Sequence, residues 1–227
     1  MKLTFLGHSC FLLETGTHRL LLDPFLTGNP VAPVKAEEIV CDFILISHGH
    51  GDHVGDAVAI ARRTGARIIA NHEIATFCGK QGVEAHGMSI GGSRAFPFGR
   101  VKLTIAHHGS GYETADGILY MGSPAGFLIT AADKVVYHSG DTGLFLDMQL
   151  IGQRHAIDVA LLPIGDNYTM GIADAVQAVE FLQPRIVIPM HYNTFPVIAA
   201  DPREFAERLA GGKTRVVILN PGEHFEF

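Results

Sequence analysis

The chain has little cysteine, no long apolar run and no surplus of positive charge. Among 227 residues there are three cysteines, Cys10, Cys41 and Cys78, far apart and without a CxxC pair. A disulfide framework is excluded by that count, and reduced, buried thiols in a cytoplasmic protein are the expectation. Cys10 stands beside His8, but a buried role is commoner for a free cysteine than a nucleophilic one. No stretch approaches the roughly 18 apolar residues of a membrane span. Residues 1–8, MKLTFLGH, enter strand-like alternation directly and do not read as a secretory leader. Seventeen Lys and Arg against 23 Asp and Glu leave a formal charge of −6, which speaks against a broad nucleic-acid footprint. A small anionic substrate stays open, because the local field matters more than the net charge. Linkers and low-complexity segments are absent too. Residues 1–227 are therefore expected to form a single domain around one substantial core, with 47% hydrophobic and 18% charged residues. What the chain does have is histidine, thirteen times over.

The order of elements is legible from periodicity and turn residues. Residues 3–6, 10–14 and 19–23 read as an antiparallel meander, and residues 24–33 as a loop rich in Pro, Gly and Asn. Residues 42–47 form a buried strand, residues 54–64 a helix ending at Gly65, residues 67–70 a strand and residues 72–80 a second helix. β signals return at residues 93–98, 101–106, 118–121, 126–130 and 135–137. Residues 158–162 and 185–189 are buried strands bracketing a helix over residues 172–182. Asp201-Pro202 opens a last helix, and strands over residues 215–219 and 223–227 close the chain. This order predicts two similar halves, each a sheet with helices on one face, packed sheet against sheet.

Four times an apolar strand ends and a His or Asp follows at once: His48, His107-His108, Asp141 and His191. Strand ends of one sheet system share a rim, so these side chains can converge. The densest case is LISHGHGDHVGD, in which His48, His50, Asp52 and His53 fall within six residues. Neutral imidazole nitrogens and carboxylate oxygens together are what a borderline divalent cation such as zinc takes. His48 and His50 point to one side of an extended segment. Gly49 and Gly51 are read as allowing tight turns, and Asp52 and His53 open the following helix. Six residues thus supply four donors, more than one ion needs. His18, His72, His86, His155 and His224 are read as ordinary surface histidines. His107 and His108 point opposite ways, and spacing alone does not choose between them.

His48-Gly-His50-Gly-Asp52-His53 resembles the HxHxDH signature of the metallo-β-lactamase superfamily, and the later histidine, aspartate and histidine follow in that family's order. Over the whole chain, Gly7-His8-Ser9, Leu22-Asp23-Pro24-Phe25, Ile90-Gly91-Gly92-Ser93, Pro163–Asn167 and His191–Phe195 are similar to the compact bacterial and archaeal metal-dependent hydrolases related to ascorbate-phosphate lactonases. The resemblance implies an α+β fold, a four-layer αββα sandwich with the site at the rim between the sheets. It implies His48, His50 and His108 on one divalent ion, Asp52, His53 and His191 on a second, and Asp141 between them. It favours His108 over His107. The activity implied is hydrolysis of a small-molecule lactone, ester or phosphodiester, with two divalent cations, zinc first and Mn, Fe or Ni compatible. Asp52 is expected to orient the nucleophilic water, and His8 to line the mouth as proton donor or substrate contact. Asp166, Asn167, Tyr168 and Asn193 are weaker candidates for supporting or substrate-contacting residues. No nucleic-acid or membrane partner is expected, and an oligomer is compatible with the sequence.

Two motif readings fail on particular residues, while a non-catalytic binding protein, a thioesterase and a redox member of the superfamily stand as alternatives that the chain fits less well. Gly87-Met88-Ser89-Ile90-Gly91 satisfies GxSxG, but a β-like run follows where a nucleophile elbow needs a helix. Gly212-Lys213-Thr214 ends like a phosphate loop, yet Glu207 stands where its first glycine belongs. A flavin-coupled redox relative has Glu where this chain has His50, and a glyoxalase-type thioesterase has further C-terminal helices. A non-catalytic metal-binding or interaction protein on the same scaffold would be marked by lost ligands, and none is lost.

Overall fold

Strands that must bury both faces carry apolar residues at every position, and that requirement organises this fold. In the computed structural model, which describes residues 1–227, the first half holds β1 (Lys2–Phe5), β2 (Phe11–Glu14), β3 (Arg19–Leu22), β4 (Phe43–Ile46), α1 (Gly51–Val54), α2 (Ala57–Thr64), β5 (Arg67–Asn71), α3 (His72–Lys80) and β6 (Ala85–Met88). The second half begins with β7 (Ser93–Phe96), β8 (Gly99–Ile105), β9 (Gly111–Thr114), β10 (Gly117–Tyr120), β11 (Ala125–Ala131) and β12 (Lys134–His138). It continues through α4 (Asp147–Arg154), β13 (Val159–Pro163), α5 (Ile172–Leu182), β14 (Ile186–Met190), α6 (Pro202–Arg208), β15 (Arg215–Val216) and β16 (His224–Glu226).

Two seven-stranded sheets result, ordered β16-β1-β2-β3-β4-β5-β6 and β15-β14-β13-β12-β11-β8-β7. Each runs an antiparallel meander into a parallel set: β1 to β3 and then β3 to β6, β7 to β12 and then β12 to β15. The expected likeness of the halves is therefore real in the pairing. β16 returns to the first sheet and pairs antiparallel with β1.

Period-2 alternation sorts the core into three layers. Phe43 and Leu45 of β4 meet Val159 and Leu161 of β13 between the sheets. Ile44 and Ile46 turn outward onto α2 and α3, while Ala160 and Leu162 turn outward onto α4, α5 and α6. The stack is αββα, as expected. Burying each such Leu or Ile contributes about 1.5–3 kcal/mol. A one-residue slip of β4 would exchange its two faces.

Several expectations are corrected. The helix over residues 54–64 breaks at Gly55, whose φ is +40° and whose Cβ would lie 2.2 Å from the Pro24 carbonyl oxygen. The chain turns there so that Asp56 N–H reaches Pro24 O at 2.9 Å, while α1 starts earlier, at Gly51. β9, ahead of the expected strand over residues 118–121, is additional to the sequence reading and pairs with β10 in a separate two-stranded hairpin. α4 and β6 are additional to the expected elements, and the strands over 215–219 and 223–227 shorten to β15 and β16. All three cysteines are free and buried. Burial and the nearby Asp23 hold the Cys10 thiol far above its ordinary range, and burial pushes Cys41 up to about 12, so neither is a thiolate near neutrality.

Candidate metal centre

β4 delivers its loop to the rim between the sheets. Ser47, His48 and His53 are fully buried there. α1 is a single turn, and it aims Asp52 and His53 back toward His48. From the second sheet, the segments after β8, β12 and β14 bring His108, Asp141 and His191 to the same place.

Donor atoms of these side chains meet. His48 Nε2 lies 3.0 Å from His50 Nδ1, and His108 Nε2 lies 3.2 Å from that same atom. Asp141 Oδ2 stands 3.7 Å from His108 Nε2 and 4.0 Å from His48 Nε2. On its other side, Asp141 Oδ2 is 2.9 Å from His191 Nε2 and 3.2 Å from His53 Nε2. His8, Asp52, His53 and His191 form a further group with ligand atoms within 4.8 Å of one another. A tetrahedral ion bound at 2.0–2.1 Å spaces its donors about 3.3 Å apart, so both groups match the spacing a cation needs. Buried polar atoms left without partners point the same way: Asp141 Oδ1 and His191 Nδ1 have none, and His53 Nε2 meets only the Asp141 carboxylate, without a well-aligned hydrogen bond. Native structures rarely leave such atoms unsatisfied without a reason.

Charge states suit metal binding. Burial drives His48 well below the usual imidazole range, and it lowers His50 and His108 as well. His8 is pushed down to about 4, mainly by burial and against its contact with Asp52. Burial opposes ionisation of Asp141, yet His191 and His53 hold its carboxyl well below the carboxylate norm. Burial likewise opposes Asp52, which the hydrogen bond to His8 and the charge of His53 keep low. His53 is the exception. Burial disfavours its charge, but Asp141 and Asp23 on either side raise it well above 6.5. A proton there stands where a cation would neutralise the same two carboxylates.

Asp23 was missed as a functional residue. It follows the buried strand β3 as His48 follows β4, so the strand-end pattern pointed to it. Its Oδ2 accepts from His53 Nδ1 at 2.8 Å and from Ser47 Oγ at 2.6 Å, and its Oδ1 accepts from Ser47 N at 2.7 Å. Ser47 Oγ is also 2.9 Å from His48 Nδ1. One carboxylate thereby fixes the far nitrogen of His53 directly and that of His48 through a hydroxyl, the arrangement by which outer residues orient metal-binding histidines. His138 is structural: its Nδ1 accepts from Gly140 N–H at 3.0 Å, so its Nε2 carries the proton to Ser9 O at 3.1 Å. Three non-glycine residues here take left-handed backbone: His8 (φ 59°), Asp23 (φ 44°) and His191 (φ 53°). Such conformations cost of order 1–3 kcal/mol each and gather at functional sites. A hydrogen bond of 2.8 Å from His191 N to His8 O ties two of these turns together.

Other expectations need revision. His8 does not line the mouth: it is 1% exposed, with Nδ1 2.9 Å from Thr194 Oγ1 and Nε2 3.2 Å from Asp52 Oδ2. His107 turns away and stacks on Phe145 at 5.0 Å. Tyr168 lines the cleft, which has a volume of about 170 Å³ and is otherwise walled by His50, Asp52, His108, Asp141 and His191. Asn193 is spent on the backbone of Ala200, and Asp166 accepts from Asn167 N–H in its own turn. Gly49 is needed for close packing, its Cβ position lying 2.4 Å from Met121 Cβ, whereas Gly51 has open space and no left-handed φ.

Residues 2–191 match the model of the beta-lactamase superfamily domain. A UPF0173 metal-dependent hydrolase of Pelotomaculum thermopropionicum is 55% identical over 228 residues, covering 100% of both chains. Its counterpart in a Geobacillus species is 56% identical over 227 residues with the same coverage. Among solved structures, Igni18, a metallo hydrolase of the archaeon Ignicoccus hospitalis, superimposes with a TM-score of 0.90 at 42% identity, covering 100% of this chain and 98% of that one. An isothiocyanate hydrolase from Delia radicum gut bacteria shares the fold, with a TM-score of 0.79 at 22% identity and coverage of 100% and 99%.

Proposed function

From the premise that this chain belongs to the beta-lactamase superfamily and is a metal-dependent hydrolase, we propose that it works with two divalent cations held across Asp141. The observation that carries the reading is the position of Asp141 Oδ2, within 4.0 Å of four histidine nitrogens from both halves of the rim. His48, His50 and His108 hold one cation, with zinc the first choice and Mn, Fe or Ni compatible with the donors. Asp52, His53 and His191 hold the second, and Asp141 serves both.

When bound, the two cations supply Lewis acidity toward a carbonyl or phosphoryl oxygen and raise the acidity of water near neutral pH. The protein's own groups do the rest. Asp23 keeps the His53 proton on Nδ1, which leaves the Nε2 lone pair facing the centre. Asp52 has a third of its side chain exposed and walls the cleft, so it can orient a water there. His8, hydrogen-bonded to Asp52 and to Thr194, is a positioning residue for that carboxylate. Tyr168, at the cleft wall, is placed to touch the substrate. The reaction class is hydrolysis of a small-molecule lactone, ester or phosphodiester.

The test is metal stoichiometry read together with turnover. Protein stripped of metal and reloaded with Zn or Mn should take up two equivalents per chain and hydrolyse members of a lactone, ester and phosphodiester panel. Full activity with one equivalent would sink the two-cation reading, and no turnover by doubly loaded protein would sink the assigned reaction.

A further inference from the structure

Six side chains wall the cleft, and five of them are metal ligands in the reading above: His50, Asp52, His108, Asp141 and His191. Their nitrogen and oxygen atoms are committed to the cations. The sixth, Tyr168, is the one wall with a surface left for the part of a substrate that does not react. Its side chain is 57% exposed, so most of the ring is free of packing within the fold.

The backbone holds that ring in place. Asp166 and Asn167, just ahead of it, both take left-handed conformations, at φ 60° and 54°, which non-glycine residues keep only where the surroundings enforce them. Asp166 Oδ1 accepts from Asn167 N–H at 2.8 Å, the kind of local bond that lets Asp and Asn adopt this region. The loop closes on itself through Asp166 N–H, which donates to Met170 O at 3.1 Å, and through a bridge between Gly165 and Gly171. It is also fastened to two ligand-bearing segments. Met170 N–H donates at 2.9 Å to the carbonyl of Thr142, the residue after Asp141. Gly165 packs so closely that a Cβ there would lie 2.2 Å from the His191 carbonyl oxygen. Tyr168 therefore sits on a loop tied to the segments of Asp141 and His191, and not on a free tip. The cleft measures about 170 Å³. A cavity of about 150 Å³ holds a benzene molecule, so there is room beside this wall for one ring-sized group.

We propose that Tyr168 determines specificity: its ring stacks on a flat, unsaturated or aromatic group next to the scissile carbonyl or phosphoryl, and substrates with such a group are preferred to those with a puckered one. This selection rests on the two-cation hydrolase reading above and deepens it by naming a substrate class. The cations draw any carbonyl or phosphoryl oxygen and do not discriminate by the shape of what is attached. Two π systems in contact gain more than the apolar area they cover, and a ring already held by its backbone forfeits little freedom on binding. The face of the ring carries the effect, and the hydroxyl is not needed for it.

Two hydroxamic acids with the same chelating head test this on full-length, Co-loaded protein: benzohydroxamic acid, whose ring is flat, and cyclohexanecarbohydroxamic acid, whose ring is puckered. Binding is followed by the visible spectrum of the cobalt centre. The wild type should bind the flat probe more tightly. Tyr168→Leu and Tyr168→Ala should each lower the flat-to-puckered ratio by roughly two- to tenfold, while Tyr168→Phe should keep it. A ratio unmoved by Tyr168→Leu, or lost as fully in Tyr168→Phe, would overturn the proposal, as would a spectrum that neither hydroxamate perturbs. The hydrolase reading fails separately. A ring preference that depends on Tyr168, in protein that turns over no member of the lactone, ester and phosphodiester panel, would uphold the stacking wall and defeat the assigned reaction.

Discussion

The two halves of the molecule build the same layers but contribute to the centre in opposite ways. The first half supplies His48, His50, Asp52 and His53 from one loop and one helical turn after β4. The second half supplies His108, Asp141 and His191 singly, from three strand ends, with Asp141 Oδ2 reaching histidines of both halves. A local cluster needs only a strand and a tight loop to form. A dispersed set needs β8, β12 and β14 all in register. The first half's set therefore follows from local chain geometry, and the second half's from the register of its sheet.

The sharpest way to break that contrast is Asp141→Asn. If the second half holds the two groups together, metal content should fall below one equivalent and activity by more than about 10³-fold, an effect larger than the loss of an outer-sphere residue. Retention of two equivalents, measured by elemental analysis, would show that the first-half loop suffices. Asp23→Asn comes next in size. The amide offers a single acceptor oxygen where the carboxylate serves Ser47 N, Ser47 Oγ and His53 Nδ1. Metal affinity should drop about 10–100-fold, with the fold intact by circular dichroism. An unchanged affinity would mean that the loop orders its histidines without support from β3.

The same contrast explains what the sequence could tell. The local cluster is visible in a six-residue window, and the strand-end rule finds His108, Asp141 and His191 because each follows an apolar run. Asp23 obeys that rule too, but its role lies in what it accepts, and a turn aspartate after a strand looks alike whether or not a histidine points at it. Choosing His108 over His107 from the residues alone fails for a similar reason: both follow β8, and only packing turns His107 onto Phe145. The break at Gly55 is set by Pro24, thirty-one positions earlier, and is invisible to helical periodicity. α4 was hidden because its amphipathic pattern is short, with Met148 its one buried side chain. The halves' likeness is legible in the order of elements and absent from residue identities.

Acid should expose the crowded loop first. In metal-free protein, burial lowers the folded-state pKa of His8, His48, His50, His108 and His138, and also that of the less buried His86 and His155. The unfolded chain then takes up protons below about 6.5 that the folded chain refuses. Stability is accordingly lost as pH falls from there toward 4. His8 alone, at about 4 instead of 6.5, is worth about 3 kcal/mol across that window. His53 acts in the opposite sense: its raised value gives stability that is present in acid and lost as pH rises through it. With seven groups against one, the melting temperature of the metal-free protein should fall between pH 7 and pH 4. Hydrogen exchange should then show amides of residues 47–54 opening before those of β13 and β14. Simultaneous opening would mean the loop has no separate stability to lose.

The smallest expected effect separates two glycines that look equivalent in the motif. A methyl group at Gly49 would lie 2.4 Å from Met121 Cβ and 2.9 Å from Ser110 O, atoms at the base of the hairpin that cannot swing aside. Gly49→Ala should therefore cost about 1–3 kcal/mol and loosen the hairpin against the metal loop. At Gly51 nothing lies within 4 Å and φ is not left-handed, and the residue opens α1. Gly51→Ala should change stability by less than about 0.5 kcal/mol, with any gain coming from reduced freedom of the unfolded chain. Urea midpoints of the two variants, compared at constant m, decide the matter. Equal losses would mean that both glycines serve backbone turning within the loop. A loss at Gly49 alone would mean that the spacing of the motif is set partly by the second half's hairpin, and that the local cluster is local in sequence only.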